Sequence, residues 1–276
     1  MGLYTKVLNF LIRKLKDESR KELGTLEEID TTFRRELLAK KEHTEKDVSL
    51  ISCIFSGLIY EHDSGINERL AYLGLNNDSY SIHNIDNELV FGLFVLNKKI
   101  FIVFKGSSDL NDFFSDLNFL TVDPEIDIPG KVHKGFFDIL FEKCQDIPKD
   151  ADKTRADKIK DLISQYPDTT EIVITGHSLG AATGSIFYAF IKESIPNKLR
   201  LITFGSPRVG NITFSKYISE CHRIVNSDDI VTKIPLPLGY YHADTRYQVG
   251  ALNRFFNVSL KDHSISRYYT NLLLKK

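Results

Sequence analysis

The 276-residue chain has almost no net charge: 36 Lys and Arg face 37 Asp and Glu, a formal −1 at pH 7. No basic cluster with interleaved aromatics stands out in its body, so a polyanion partner is not expected, and nucleic acid least of all. Cysteine is scarce as well. Cys53, Cys144 and Cys221 are widely spaced, with no CxxC and no Cys/His pattern, which argues against a zinc site and a disulfide framework and for free thiols in a reducing compartment. No apolar run approaches the roughly 20 residues that span a bilayer, so any membrane contact is expected to be peripheral. The opening MGLYTKVLNFLIRKLKDESR has a short apolar stretch interrupted by Asn9 and no small-residue cleavage site, and so reads as a poor signal peptide. Gly2 lacks the Ser or Thr at position 6 that myristoylation needs, since Lys6 stands there. The expected location is cytoplasmic or leaderless-secreted. Internal repeats and low-complexity segments are missing too, and the 42% hydrophobic and 26% charged composition is that of a folded globular chain.

What is present divides into two textures. Residues 1–47 are charge-rich and lack strand signals, and are expected to form a helical N-terminal extension; residues 48–276 alternate strand-like and helix-like segments. In the extension Leu3, Val7, Leu11 and Leu15 recur every four residues beside Tyr4 and Leu8, making one apolar stripe. Lys6, Arg13, Lys14, Lys16, Arg20 and Lys21 outweigh Asp17 and Glu18 there. Such a helix suits an anionic membrane surface, and its stripe equally suits packing on the rest of the chain or on a second subunit. Further on, Leu50, Ile51, Ile54, Phe55, Leu58 and Ile59 follow a helical period from Val48 to Tyr60. Residues 88–96 and 100–104 read as a hairpin around Asn97-Lys98-Lys99, with later strands at 171–175, 199–204 and 223–225. Helical patterns around 155–165 and 179–193 separate them, which predicts a mostly parallel central sheet with helices on both faces.

One strand ends in a recognisable chemical device. The β-branched run Ile172-Val173-Ile174-Thr175 stops at Gly176-His177-Ser178-Leu179-Gly180 and passes straight into Ala181-Ala182-Thr183-Gly184. A serine at the tip of such a strand-to-helix turn has a strained backbone, and the residues two before and two after it must be small for strand and helix to approach. A serine hydroxyl is a weak nucleophile at neutral pH and needs a histidine base oriented by a carboxylate. In the order Ser, acid, His, Asp228 or Asp229 with His242 or His263 satisfies the requirement, and His222 drops out because it precedes both acids. Pattern alone leaves both pairs open.

The chain resembles the class 3 lipases, the family of the fungal triacylglycerol lipases, over about residues 48–276. The resemblance rests on several runs in the family's order: IFIVFKGSSDLNDFFSDLNF at 100–119, VHKGF at 132–136, ITGHSLGAATG at 174–184, TFGSPRVGN at 203–211, VNSDDIV at 225–231 and DHSISRYY at 262–269. It implies an α/β-hydrolase fold and a serine carboxylester hydrolase acting on lipid esters, an acylglycerol lipase or a phospholipase A1, with a lipid substrate at a membrane or droplet surface. No metal or organic cofactor is implied. The catalytic residues it implies are Ser178, Asp229 and His263, with the backbone N–H groups of Ser107 and Leu179, and the Ser107 hydroxyl, as an oxyanion hole. His242 is then structural or lines the site. Lys105 replaces the family's usual Arg, losing a planar donor but no catalytic group.

The family's lid corresponds to 108–120, where Leu110, Phe113, Phe114 and Leu117 fall at helical spacing with acids on other faces. The plainer reading is a surface helix capped by Ser108. Phe113 stands where the fungal enzymes carry Trp. His177 reads as a packed, hydrogen-bonded neighbour of the nucleophile, His133 and Phe136 as packing under the site, and Arg208 as a loop anchor through carboxylate or carbonyl contacts. Tyr240, Tyr241, Phe255 and Phe256 read as core or as the border of an acyl groove. Two rival functions remain: a non-catalytic interaction protein on the same fold, and an esterase or acyltransferase for small acyl esters.

Overall fold

The computed structural model describes residues 31–62, 65–109, 120–124, 126–144, 152–243, 246–251 and 258–275. The apolar stripe of the first 21 residues, the lid residues Leu110, Phe113, Phe114 and Leu117, and Phe255 and Phe256 lie outside them.

The chain enters through helix α1 (Thr31–Ala39) and helix α2 (Glu45–Leu58). Thr44 starts α2 with a capping box: its hydroxyl accepts the Asp47 N–H, and the Asp47 carboxylate accepts the Thr44 N–H at 3.0 Å. The helix thus begins three residues before Val48. Every residue from Asp47 to Leu58 is buried, as expected of a helix apolar nearly all round. Helix α3 (Ile66–Tyr72) follows, and then a hairpin ladder of β1 (Tyr80–Ile85), β2 (Leu89–Leu96) and β3 (Lys99–Phe104), each antiparallel to the next. Asn97 and Lys98 both take positive φ, 49° and 61°, the geometry of a two-residue turn that matches strand twist. Lys99 therefore belongs to β3 and not to the turn.

The short pair β4 (Thr121–Val122) and β5 (Val132–His133) stands apart as a second sheet, followed by α4 (Lys134–Phe141) and α5 (Arg155–Ile163). The main sheet then continues through β6 (Glu171–His177), α6 (Leu179–Ile191), β7 (Lys198–Phe204), α7 (Ile212–Tyr217), β8 (His222–Asn226) and β9 (Arg246–Val249), with α8 (Ile265–Leu274) last. The seven strands lie in the order β1-β2-β3-β6-β7-β8-β9, and every pairing from β3 onward is parallel.

Side-chain alternation along the central strands divides the core between the two faces. Ile172 and Ile174 point to the face covered by α4, α5 and α6, while Val173 points to the face covered by α1, α2, α3 and α8. Strands buried on both sides read as continuous apolar runs, as Ile172 to Ile174 does. At the ends of β3, β6, β7 and β8 the backbone leaves the sheet at one edge, and the residues singled out for chemistry gather there. All three cysteines are buried free thiols.

Candidate active site

Glycine at 176 and 180 is required by contact distances. A Cβ on Gly176 would lie 2.4 Å from the Gly180 carbonyl carbon, and one on Gly180 would lie 2.1 Å from the Phe104 carbonyl oxygen. Strand β6, helix α6 and the end of β3 therefore meet backbone to backbone, and Ser178 is forced to φ 59°, ψ −126°, a region that costs about 1–3 kcal/mol for a non-glycine residue. The strain holds the Ser178 side chain at the N-terminus of α6. Leu179 opens that helix, so its N–H is one of the amides with no intrahelical acceptor.

The candidate acid lies just past the end of β8 and the candidate base in the turn that leads into α8. Asp229 follows β8 and is fully buried; His263 sits in a short 3₁₀ turn, Lys261–His263, before α8 and is 1% exposed. His263 Nδ1–H donates to Asp229 Oδ2 at 2.8 Å. Nε2 is thereby left with its lone pair, and it has no hydrogen-bond partner among the described residues; the buried Ser178 Oγ has none either. Both atoms that a serine mechanism couples are thus unpaired among the described residues, and such contacts often tighten only with substrate bound. Asp228 faces elsewhere, with Lys233 Nζ at 3.7 Å. His242 is held away from this pair: its Nε2–H donates to the Thr232 carbonyl at 2.6 Å, and burial, reinforced by Arg223, pushes its pKa down to about 3.

Asp229 is tied by more than its histidine. Its Oδ1 accepts the Val231 N–H at 2.8 Å, and its Oδ2 also accepts the Tyr268 hydroxyl at 2.5 Å. Burial, with the Asp229 charge second, drives the Tyr268 phenol well above its usual pKa, so it stays a donor. Gly205, at φ 60°, lets the end of β7 pass beneath this pair: a Cβ there would be 2.8 Å from both Asp229 Oδ2 and His263 Cε1. Neither Tyr268 nor Gly205 was singled out by motif reasoning, although both lie in the quoted runs. The signal available was the run itself.

His177 links the halves of the site. Its Nε2–H donates to the His263 carbonyl at 2.6 Å, which fixes the tautomer and leaves Nδ1 to accept the Tyr60 hydroxyl at 3.0 Å. Its pKa falls well below the usual value, first through burial and then through the neighbouring His263, so it is a neutral strut. The Gly106 backbone hydrogen-bonds the Tyr60 oxygen in turn, and a Cβ on Gly106 would lie 2.1 Å from it. A single chain of contacts therefore runs from the strand end that carries Ser107, through Tyr60 and His177, to the backbone of His263. The Ser107 hydroxyl itself donates to the Asp109 carbonyl at 2.6 Å, leaving its N–H as the group to aim at an oxyanion.

The remaining candidates divide among packing, anchoring and exposed positions. His133 is 2% exposed, stacks on Phe136 with centroids 4.1 Å apart, and has its pKa lowered to about 4 by burial. Arg208 anchors its loop through carbonyls, donating to Lys233 and Pro235 at 2.5 and 2.6 Å. Tyr240 is buried and Tyr241 is 43% exposed. Among the described residues no cluster of three or more His, Cys, Asp or Glu could hold a metal ion, and no helix is long and apolar enough to cross a membrane.

Residues 101–238 match the family model described as "Lipase (class 3)". A lipase of Rhizomucor miehei is 35% identical over 161 residues, covering 55% of this chain and 42% of that protein. The chloroplastic phospholipase A(1) DAD1 of Arabidopsis thaliana is 41% identical over 86 residues, covering 29% of this chain and 19% of that protein. The chain thus aligns with less than half the length of either relative. A solved triacylglycerol lipase, described as having a serine protease triad as its catalytic centre, superposes with a TM-score of 0.57 at 26% identity, covering 75% of this chain and 82% of that one. The sheet order and crossovers are those of an α/β-hydrolase, and the chain belongs to the class 3 lipase family.

Proposed function

We propose that this protein hydrolyses carboxylic esters of lipids, with Ser178 as nucleophile, His263 as base and Asp229 as the acid that orients it. The observation that carries the reading is the 2.8 Å His263 Nδ1–Asp229 Oδ2 contact beside a buried Ser178 Oγ and a buried His263 Nε2 that both lack partners among the described residues. Ser178 Oγ attacks the ester carbonyl as His263 Nε2 takes its proton. The tetrahedral oxyanion is met by the N–H groups of Leu179 and Ser107, each worth about 3–4 kcal/mol in the transition state. His263 then gives the proton to the departing alcohol, leaving an acyl-serine. A water molecule, deprotonated by the same nitrogen, displaces the acyl group as a fatty acid and restores Ser178.

Lipid as the substrate class is supported by family membership and by the apolar positions Leu110, Phe113, Phe114 and Leu117 of the lid-like run. The basic, amphipathic first 21 residues favour a phospholipid surface, to which the chain binds peripherally. Ser178→Ala removes fluorophosphonate labelling and hydrolysis of a p-nitrophenyl ester; survival of either in the variant defeats the assignment, and it also separates this reading from a non-catalytic interaction protein. Activity that fails to rise as substrate aggregates into micelles turns the substrate class towards small esters. Deleting residues 1–23 weakens binding to anionic liposomes, and unchanged binding removes the membrane role of that segment.

A further inference from the structure

On the α6 face of the sheet, away from Ser178, a small, partly open pocket of about 10 Å3 lies against β7 and β8. Such a volume is about that of one water-sized particle. The polar side chains that line it include Ser185, Thr203, Ser206, Ser215, Arg223 and His242. Two of them are left without partners. Thr203 Oγ1 and Arg223 Nε are both buried, and neither has a hydrogen bond among the described residues. The hydroxyl protons of Ser185 and Ser206 are already given to the Ala181 and Pro207 carbonyls, at 2.7 and 3.0 Å. His242 has given its proton to Thr232.

Charge decides what belongs there. Arg223 is 9% exposed, and no described carboxylate lies within ion-pairing distance of it. Burial brings its pKa down to about 10, which keeps it cationic at neutral pH. Among the described residues, the charged groups that bear on it are themselves cations, Arg246 and Arg208. Arg208 is held by carbonyls and Arg246 by the Gln248 side-chain oxygen at 2.9 Å, so neither brings a counter-charge. The electrostatic neighbours Cys221 and Tyr268 are neutral, since burial raises both. A guanidinium only donates, and a buried charge without a partner is among the costliest features a fold can carry.

We propose that this cavity is a binding site for a single monatomic anion of the chloride class, held by Arg223 Nε–H and the Thr203 hydroxyl. A water molecule would accept the same two hydrogen bonds but leave the charge uncompensated, and a space of about 10 Å3 matches one atom-sized ion. The bound ion ties β7 to β8, the strand that leads to Asn226 and Asp229.

The full-length protein is melted in sodium chloride, sodium bromide and sodium gluconate at equal ionic strength. The expected result is a saturable Tm rise of about 2–4 °C in the halides over gluconate, lost in Arg223→Met. Crystals grown in bromide should give an anomalous peak within hydrogen-bonding distance of Arg223 Nε and Thr203 Oγ1. Equal melting in all three salts, or a water molecule or protein carboxylate at that point in place of the peak, overturns the proposal. Should Arg223→Met fail to fold, the bromide peak in the unaltered protein decides alone.

Discussion

The two halves of the candidate site are held by different physics. On the side of the proposed nucleophile, position is set by backbone contact: Gly176, Gly180 and Gly106 bring three chain segments together where no Cβ fits, and Ser178 is left strained and buried, its Oγ without a hydrogen bond among the described residues. On the acid–base side, position is set by hydrogen bonds, three of them converging on the Asp229 carboxylate from Val231, His263 and Tyr268. The difference follows from what each group must do. A nucleophile bonded to its surroundings would have to break that bond before attacking. An orienting carboxylate must instead hold one geometry throughout the cycle, and charge-assisted donors do this best.

The sharpest way to test the contrast is to disarm the orienting side without altering its shape. Asp229→Asn keeps the volume and the contact with Val231, but its amide donates where the carboxylate accepts. The His263 ring is then driven to the tautomer that carries its proton on Nε2. The expected outcome is a kcat lower by about 10⁴-fold with KM little changed, measured on a p-nitrophenyl ester. A loss below tenfold would show that Asp229 does not orient the base.

Much of the nucleophile side was legible in the sequence, because its physics is local. Gly176-His177-Ser178-Leu179-Gly180 carries its own steric argument within five residues, and the β-branched run before it declares the strand. The orienting side was less so: residue pattern left Asp228 and Asp229, and His242 and His263, equivalent, and only the family resemblance ranked them. Their separation depends on which side chain faces the β7 end, a tertiary fact. Tyr60 and Tyr268 were invisible for the same reason, lying 117 and 39 residues from the groups they bond. Strands β1 and β9 were missed on other grounds. Tyr80–Ile85 and Arg246–Val249 are edge strands, half-exposed and polar, and so lack the continuous apolar run that marked the central ones.

A second test asks whether the hydrogen-bonded half also needs backbone clearance. Gly205→Ala puts a methyl 2.8 Å from Asp229 Oδ2 and from His263 Cε1, at a φ of 60° that alanine resists. Displacing the pair by a fraction of an ångström should cost roughly 10²-fold in kcat/KM, while fluorophosphonate labelling of Ser178 slows in parallel. Full activity in this variant would mean that the pair tolerates a shift, and the contrast drawn between the halves would weaken.

The smallest effect is the most diagnostic. Tyr268→Phe removes one of the three donors to Asp229 and leaves the ring's packing in place. An added charge-assisted hydrogen bond is worth about 1.5–3 kcal/mol, but the two remaining donors compensate in part, so kcat should fall roughly tenfold. The loss should fall on kcat with KM little changed on a p-nitrophenyl ester, because the tyrosine acts on the orienting carboxylate and not on the substrate. A kcat that stays at the parent value would assign Tyr268 to packing alone, and would leave Asp229 held by Val231 and His263 without it.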